Sequence, residues 1–301
     1  MNIKNLFAVV VVWYNPEKQE VENILRYNNF FRTVYIVDNS SSDNKSLKVD
    51  IPNAVYLPQY ENLGIGAALN KGCARAVSDG FEWCMTMDQD SEWDSEQLQL
   101  YLSQIEFHIS EKNVSFAPSI LSTTSKAEQI KVRLRKFARK IITRFLGEKA
   151  YLAAKKAVDG ESKGHEVVRV ITSGNVINLT TWAEIGKFNE ALFIEQVDYE
   201  FCYRLKLAGY IITKFKNCYL NQMLGDGKQH LFELDKYHGV RLYYRYRNQI
   251  YMSRNYPQFE KNMPIIRDIF YKGITLHFKD MMFILQGVNA ANKNKLGPYC
   301  R

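Results

Sequence analysis

Two aspartates, Asp88 and Asp90, stand two positions apart in MDQDSEWD (87–94), directly after the apolar run FEWCMTM. In an extended segment, side chains at positions i and i+2 lie on the same face, so both carboxylates are expected to point the same way. Hard cations such as Mg²⁺ and Mn²⁺ prefer oxygen ligands and leave positions for phosphate oxygens. The pair predicts a metal–diphosphate site; the alternative is a polar turn that caps a helix beginning at Ser95.

Two further acids stand where a strand ends and where a helix begins. Asp38 follows TVYIV and either accepts a hydrogen bond from a base or a ribose hydroxyl, or caps an Asx-turn in DNSSSDN. Asp198 opens a helical pattern, at the end where the helix dipole stabilises negative charge. Asp198 is therefore predicted either to be an ionised general base or only to stabilise the helix start.

The elements that must position these acids alternate in type. Strands are predicted at 7–13, 33–37, 54–57 and 81–87, with helices at 17–31 and 66–77. Such alternation implies βαβ units and a parallel sheet, whose carboxyl edge is where ligands bind. After a change of character in the middle, a strand is predicted at VVRVIT (167–172), and helices near Thr181 and at 197–208.

A glycine-rich entry to a helix, NLGIGAALNKG (62–72), lies between two of these strands. Backbone N–H groups at a helix start can bind phosphate. Leu69 stands where a dinucleotide-binding motif would have its third glycine, so the dinucleotide interpretation is weak.

The chain has 301 residues, 46% hydrophobic content and a formal net charge of +8. A basic balance favours a polyanionic partner, whether nucleic acid, anionic lipid or a phosphorylated substrate. No nucleic-acid-binding motif accompanies the charge. The five cysteines form no CxxC pair, which is typical of a reducing compartment. The apolar run at 6–14 is too short to span a bilayer, and a cytoplasmic protein is predicted.

Two later segments leave contact with the inner face of the membrane open. Residues 126–156 form a basic amphipathic pattern, either a solvated helix face or a site for anionic lipid or polyphosphate. A second pattern repeats every four residues and predicts one apolar helix stripe. Core packing is its default interpretation and membrane-surface contact the alternative. The stripe consists of Ile266, Phe270, Ile274, Phe278 and Met282.

Eight short segments occur in an order that resembles the family 2 inverting glycosyltransferases of the GT-A fold, especially their bacterial rhamnosyltransferase-like branch. They are VVWYNP (11–16), VDNSSSDN (37–44), NLGIGAALNKG (62–72), MDQDS (87–91), TSGNVI (172–177), GKFNEALFIEQVDYEFCYRLKLAGY (186–210), LGD (224–226) and RLYYRYRN (241–248). The resemblance implies an α/β fold with a Rossmann-like, mostly parallel central sheet, helices on both faces and a helical C-terminal region. It implies a GT-A domain at 1–250, with a basic helical insertion at about 120–165, and an extension at 251–301.

The resemblance also implies site residues. Asp88-Gln89-Asp90 would be the DxD motif that holds Mg²⁺ or Mn²⁺ on the donor diphosphate, and Asp198 would deprotonate the acceptor hydroxyl. Asp38 would contact the nucleoside base. The remaining donor-binding residues would be Asn62, Gly64 and Asn70, which shape the pocket, and Arg204, Arg241 and Arg247, which meet phosphate.

One position departs from this pattern. Members of the branch often carry a histidine two residues before LGD, and Gln222 stands there. A glutamine carbonyl can bind Mg²⁺ but binds soft metals poorly. His230 and His238 are the candidates to replace the missing ligand.

The implied function is that of a hexosyltransferase in bacterial surface polysaccharide synthesis, such as that of O-antigen. It would move a sugar, with rhamnose as the expected one, from a dTDP- or UDP-linked donor to a glycan or lipid-diphosphate-linked acceptor. Two alternatives stay open: a UDP-sugar transferase for galactofuranosyl, glucosyl or N-acetylglucosaminyl groups, and a donor-binding pseudoenzyme or scaffold. The intact Asp88, Asp90 and Asp198 argue against the scaffold.

Overall fold

The computed structural model describes residues 6–122, 164–222, 237–261 and 263–299. Nine strands form one sheet: β1 (Phe7–Trp13), β2 (Val34–Asp38), β3 (Ala54–Pro58), β4 (Trp83–Asp88), β5 (Ser91–Glu92), β6 (Asn113–Ser122), β7 (His165–Glu166), β8 (Asn175–Asn178) and β9 (Ile211–Gln222). The helices are α1 (Lys18–Leu25), α2 (Ile65–Ser78), α3 (Ser95–His108), α4 (Leu179–Glu184), α5 (Val197–Leu207), α6 (Val240–Asn255), α7 (Ile265–Ile274) and α8 (Phe278–Asn292).

The strands lie in the order β3-β2-β1-β4-β8-β6-β9-β5, and β7 pairs with β9. The first four strands are parallel to one another, as the alternating pattern predicts. The second half of the chain adds β8 antiparallel to β4, and β9 parallel to β6. Most of the paired residues are in parallel ladders, and the predicted α/β fold with a mostly parallel sheet is confirmed.

Helices cover both faces of the sheet because β1 is apolar on both sides. Val9 and Val11 pack with α1 and α3, whereas Val10 and Val12 pack with α2 and α5. Side chains alternate between the two faces of a strand, so an unbroken apolar run supplies two cores at once. Because β2 and β4 both pair in parallel with this buried strand, their carboxyl ends lie at the same edge of the sheet.

The predicted strand at VVRVIT (167–172) is wrong. This segment is irregular, and the strand that enters the sheet is β8, which begins at Asn175. Val167 donates its N–H to Ile212, but Arg169 is drawn outward to Tyr203 and Glu260, so the segment leaves the ladder after one bond. β-branched residues alone do not make a strand when a polar side chain takes the backbone elsewhere.

The predicted helical C-terminal region is confirmed, but the core interpretation of its apolar stripe is wrong. All five stripe residues are exposed, from Met282 at 59% to Ile266 at 86%. The opposite sides of α7 and α8 pack on α6 and on each other, through the buried residues Lys272, Asp280, Ile284 and Gly287. In the ranges that the structure describes, no helix is both long and apolar enough to cross a membrane. The basic segment 126–156 lies outside those ranges.

Candidate active site

Asp88 and Asp90 lie at the carboxyl end of β4 and share one amide donor. Ser91 follows them and begins β5, which pairs antiparallel with β9 so that Ser91 lies opposite Gln222. The Gln222 Nε2 group donates to Asp88 Oδ2 at 3.0 Å and to Asp90 Oδ1 at 3.4 Å. The fold thus brings Gln222, which stands where similar sequences often carry a histidine, to the predicted carboxylate pair.

The two carboxylates are held in a site that disfavours their charge. Burial raises the pKa of Asp88, against hydrogen bonds from Ser173 and Gln222. Burial and the neighbouring charge of Asp88 raise the pKa of Asp90 to about 6. Arg241 lowers the pKa of Asp88 through its charge, but its guanidinium is hydrogen-bonded to Glu195. A cation between the carboxylates would relieve the repulsion between them.

The residues present fit a hard divalent cation. Gln222 is 6% exposed, and none of the described residues forms a hydrogen bond with its buried Oε1 atom. A half-turn of the amide would direct this oxygen to the same space as the two carboxylates, giving the all-oxygen donor set that Mg²⁺ and Mn²⁺ accept. Within the described part of the chain, no three His, Cys, Asp or Glu side chains come together as a metal site.

The two candidate replacements for the missing histidine have different outcomes. His238 is engaged elsewhere, since its Nδ1 atom lies 2.8 Å from Asp280 Oδ2. This contact occupies one nitrogen of the ring, and the role of His238 in the metal site stays a prediction. His230, like the LGD segment at 224–226, lies outside the described residues.

Asp198 is the second residue of α5, and it lies within electrostatic reach of Asp88. Its Oδ1 atom accepts the N–H of Tyr199 at 2.9 Å. Burial, together with the charges of Asp88 and Glu195, raises the pKa of Asp198 to about 7 against that hydrogen bond. Burial thus opposes the stabilisation that the start of a helix gives to a charged carboxylate.

The loop before Asp198 is strained and is held by α6. Phe193, Glu195 and Gln196 have φ values of 65°, 63° and 69°, a region that costs energy for residues other than glycine. The Asn248 Nδ2 group donates to the carbonyl groups of Leu192, Ile194 and Glu195 at 2.7 to 2.9 Å. Asn248 therefore fixes the loop that sets the position of α5 and of Asp198.

Sequence reasoning missed Asn248, although the quoted motif RLYYRYRN ends on it. The arginines of that motif were predicted to bind phosphate because they are cationic and phosphate is anionic. A fully buried asparagine beside a positive-φ loop has the donors that such a loop needs, but only the fold shows that the two meet.

Two arginines predicted to meet phosphate form hydrogen bonds inside the chain, which contradicts the prediction for the fully buried Arg247, whereas that for Arg204 stays a prediction. Arg247 is 0% exposed and donates to the carbonyl groups of Leu192, at 2.8 Å, and Gly297. Arg204 makes an ion pair with Glu200 at 2.8 Å and donates to the carbonyl group of Lys187. Arg241 differs from both, because its side chain is half exposed and acts electrostatically on Asp88 and Asp90.

Arg204 and Glu200 also line a cleft of about 530 Å³ with Asn70 and residues 185–191. None of Asp38, Asp88, Asp90 or Asp198 lines this cleft. The chemistry of the predicted site therefore has to be sought at the strand ends rather than in this cavity.

Asp38 ends β2 and is 1% exposed. Its carboxylate accepts hydrogen bonds from Ser40 N at 3.0 Å, Asn44 Nδ2 at 2.8 Å and Tyr56 Oη at 2.6 Å. The bond from Ser40 is the Asx-turn that the sequence left open as an alternative. A nucleoside contact with this carboxylate would have to share or displace one of these donors.

The remaining predicted donor residues link elements around the site. The Asn62 Oδ1 atom accepts from Gly64 N at 3.0 Å, and Gly64 has φ of 87° with no room for a Cβ, which would lie 2.5 Å from the carbonyl oxygen of Phe193. Asn70 is bound to both backbone groups of Phe188 at 2.9 Å. The Gln89 amide is paired with the backbone of Tyr14. These hydrogen bonds hold the residues against neighbouring elements, and their contact with a donor stays a prediction.

Comparison with known proteins gives three kinds of relative. Residues 9–151 match the model of glycosyl transferase family 2. The chain is 25% identical over 257 residues to the dTDP-rhamnosyl transferase RfbF of Shigella flexneri, covering 83% of this chain and 80% of that protein.

Two solved structures share the fold. GalNAc-T7, solved with UDP, GalNAc and Mn²⁺, has a TM-score of 0.51 at 12% identity, over 77% of this chain and 46% of that one. S. aureus TarS has a TM-score of 0.52 at 15% identity, over 82% of this chain and 39% of that one. The chain thus matches less than half of either solved chain, and at these identities the likeness concerns the fold alone.

Proposed function

Because the chain belongs to glycosyl transferase family 2 and is a glycosyltransferase, we propose that it transfers a rhamnose-type sugar from a dTDP-linked donor to a hydroxyl group of a saccharide acceptor. The observation that carries the proposal is the pair of Asp88 and Asp90 at the end of β4, which shares the amide of Gln222 and lies within electrostatic reach of Asp198. The rhamnosyl donor rests on the named activity of the Shigella flexneri relative.

The leaving diphosphate is assigned to the end of β4. Asp88, Asp90 and the amide oxygen of Gln222 would hold Mg²⁺ or Mn²⁺, which supplies positive charge to the departing phosphates when bound. Arg241 adds a fixed positive charge beside the two aspartates. Positive groups preorganised where negative charge develops lower the barrier, and removing one typically costs about 10²–10³ in rate.

Asp198 is assigned as the general base. Its carboxylate accepts the proton of the acceptor hydroxyl while that oxygen forms the new bond to the anomeric carbon. The bond between the anomeric carbon and the diphosphate oxygen breaks, and its electron pair leaves with the nucleotide. A single displacement of this kind inverts the anomeric configuration. A base with a pKa near 7 is matched to this task at neutral pH.

The acceptor is proposed to be a glycan or a lipid-diphosphate-linked saccharide. A sugar hydroxyl is a poor nucleophile in water, so it needs both the base and a fixed approach to the donor. The positive-φ loop at Phe193–Gln196, fixed by Asn248, gives Asp198 that fixed position.

The test is release of the nucleotide from purified protein supplied with dTDP-rhamnose, UDP-glucose, UDP-galactofuranose or UDP-N-acetylglucosamine, each with Mn²⁺ or with chelator. Turnover of dTDP-rhamnose that requires Mn²⁺ is expected. Asp90→Asn should lower it by about 10²–10³-fold. The matched control is Glu82→Gln, which changes an exposed acid just before β4 and should leave turnover unchanged.

Two outcomes would overturn parts of the proposal. Turnover of a UDP-sugar with none of dTDP-rhamnose would replace the donor but keep the roles of the aspartates. Nucleotide binding without turnover of any donor, alone or with saccharide acceptors, would favour a pseudoenzyme.

A further inference from the structure

The C-terminal helices expose several large apolar side chains within a short stretch of the chain. Seven large side chains between Ile266 and Leu285 are 52 to 86% exposed. They lie on α7, on the turn between the helices and on α8. Contiguous apolar patches on a protein surface usually mark an interaction site. We call this set the apolar face: Ile266, Phe270, Ile274, Leu276, Phe278, Met282 and Leu285.

The apolar face is not the result of loose packing, because the other sides of both helices are firmly attached. Asp268 of α7 accepts the hydroxyl of Tyr246 at 2.7 Å, and Lys272 pairs with Asp280 at 3.2 Å. Gly287 of α8 lies so close to α6 that a Cβ there would be 2.4 Å from the carbonyl oxygen of Tyr243. The fold therefore fixes which sides of α7 and α8 are presented outward.

The exposed charges on the stretch that carries the apolar face are of one sign. Between 261 and 299 the sequence has two acids, Asp268 and Asp280, and both are buried. Among the described residues of that stretch, the exposed charged side chains are all basic: Lys261, Arg267, Lys279, Lys293 and Lys295. A helix pair that exposes apolar and basic side chains but no acids is complementary to the surface of an anionic bilayer. A second copy of this face would meet it with like charge.

We propose that α7 and α8 dock the protein on an anionic lipid surface, with the apolar face entering the headgroup region and the basic side chains contacting the lipid phosphates. Each basic group near such a surface contributes about fivefold in binding, so several of them with the apolar face hold the protein reversibly. The docking rests on the exposed face itself and does not depend on the proposed function.

The buried side of α8, opposite the apolar face, is attached to the segment that leads to Arg241 of the candidate active site. Asp280 accepts the N–H of Gly239 at 2.9 Å and contacts His238 at 2.8 Å. Arg241 follows two residues later and acts on Asp88 and Asp90. If the proposed function holds, docking presents the site to acceptors that are carried on a lipid.

The experiment is sedimentation of the full chain with vesicles of phosphatidylcholine alone or mixed with phosphatidylglycerol, at low and high salt. The test variant is Phe270→Ser combined with Met282→Ser. The matched control is Phe107→Ser, which removes an apolar side chain that is 87% exposed on α3, away from the apolar face. Circular dichroism and thermal melting check that both variants fold, and a second variant, Ile266→Ser, tests the same face independently.

Binding of the unaltered protein to the mixed vesicles is expected, with at least a tenfold loss in the double variant, a smaller loss in Ile266→Ser and none in Phe107→Ser. High salt should weaken binding, because charge attraction is screened. Equal binding by the double variant and the unaltered protein would overturn the proposal, even if other parts of the chain bind lipid. So would a dimer in light scattering that the double variant abolishes, because the face would then be covered by a second copy.

The vesicle-binding experiment and the test of the proposed function can fail independently of each other. Nucleotide release from a free donor in solution needs the strand-end aspartates but not the apolar face. The double variant should therefore keep this activity, whereas Asp90→Asn should lose it and keep vesicle binding.

Discussion

Two acids flank the same central strand and have opposite surroundings. Asp38 ends β2 and pairs with Trp13 of β1, and Asp88 ends β4 and pairs with Val12 on the other side of β1. The loop after Asp38 supplies Ser40 and Asn44, and β3 supplies Tyr56, so that carboxylate has three donors. A carboxylate that accepts three hydrogen bonds from its own chain stabilises the conformation of the loop that follows it.

The end of β4 lacks such a set. The segment after Asp88 brings a second carboxylate, Asp90. Both carboxylates accept hydrogen bonds from the amide of Gln222, at the end of β9. Burial together with a like charge leaves the ionised forms poorly stabilised. The same sequence signal, an acid at a parallel strand end, thus gives a structural group on one side and a group that favours a cation on the other.

The largest effect is expected at Asp198, whose raised pKa places it with Asp88 and Asp90 in this comparison. Asp198→Asn should still bind nucleotide, because the proposed function assigns Asp198 to the acceptor, but should lower the rate of transfer by about 10²–10⁴-fold. Calorimetry with the nucleotide and steady-state transfer assays measure the two effects. Weak nucleotide binding together with an unchanged kcat would assign Asp198 to the donor side.

The pH profile gives this prediction a second readout. The base works in its deprotonated form, so kcat/KM should fall about tenfold per pH unit below the pKa of Asp198 and level off above it. That pKa is about 7 without a cation, and a cation near Asp88 should move the inflection to lower pH. The residual activity of Asp198→Asn should show no such inflection.

The next effect concerns stability and has opposite signs at the two strand ends. Asp38→Asn replaces an acceptor oxygen by an NH₂ group that faces the donors Asn44 and Tyr56 or Ser40, and should lower the free energy of unfolding by about 1–3 kcal/mol. Asp90→Asn removes a like charge from beside Asp88 and should raise the melting temperature of the metal-free protein. The rise should be on the order of 2–4 °C for each kcal/mol added to the free energy of unfolding.

The pH dependence of the second change follows from the sign of the shift. The folded-state pKa of Asp90, about 6, is above its ordinary value of 3.8, so folding binds protons between those values and stability decreases as pH rises through them. The gain from Asp90→Asn should be complete above about pH 6 and vanish towards pH 4. Thermal melts with chelator at both pH values measure it, and equal destabilisation by the two variants would contradict the comparison.

The sequence predicts the parallel half of the fold and the types of its strand-end acids, because both are local. Apolar runs fix β1, β2 and β4 to within two residues, and an acid after such a run must lie at the sheet edge. The sequence does not predict which donors reach each acid. Gln222 meets Asp90 across 132 positions of the chain, a pairing that only the β5–β9 ladder creates.

The C-terminal region shows the same limit in two other ways. Arg241 and Arg247 occur in one short motif, yet six positions on a helix amount to about 240° of rotation, and one side chain is half exposed while the other is buried. The four-residue period between Ile266 and Met282 correctly predicts helical structure with an apolar side, but the structure divides the predicted single stripe between α7 and α8. Period alone does not say whether the fold covers that side, because coverage depends on where α6 lies.

The smallest effect is expected from restoring a histidine at the end of β9. Gln222→His replaces an amide oxygen by an imidazole nitrogen, a softer donor that favours Mn²⁺ over Mg²⁺. The ratio of Mn²⁺ to Mg²⁺ affinity should rise by about tenfold, within the 10–100-fold range by which neighbouring groups tune metal sites. Titration of each cation in the presence of nucleotide measures it. Gln222→Met is the matched control, since it keeps the size of the side chain but offers no hard donor, and it should weaken both cations without favouring either. If Gln222→His and Gln222→Met change the ratio equally, residue 222 does not contact the cation, and Asp88 and Asp90 would hold it with donors from elsewhere.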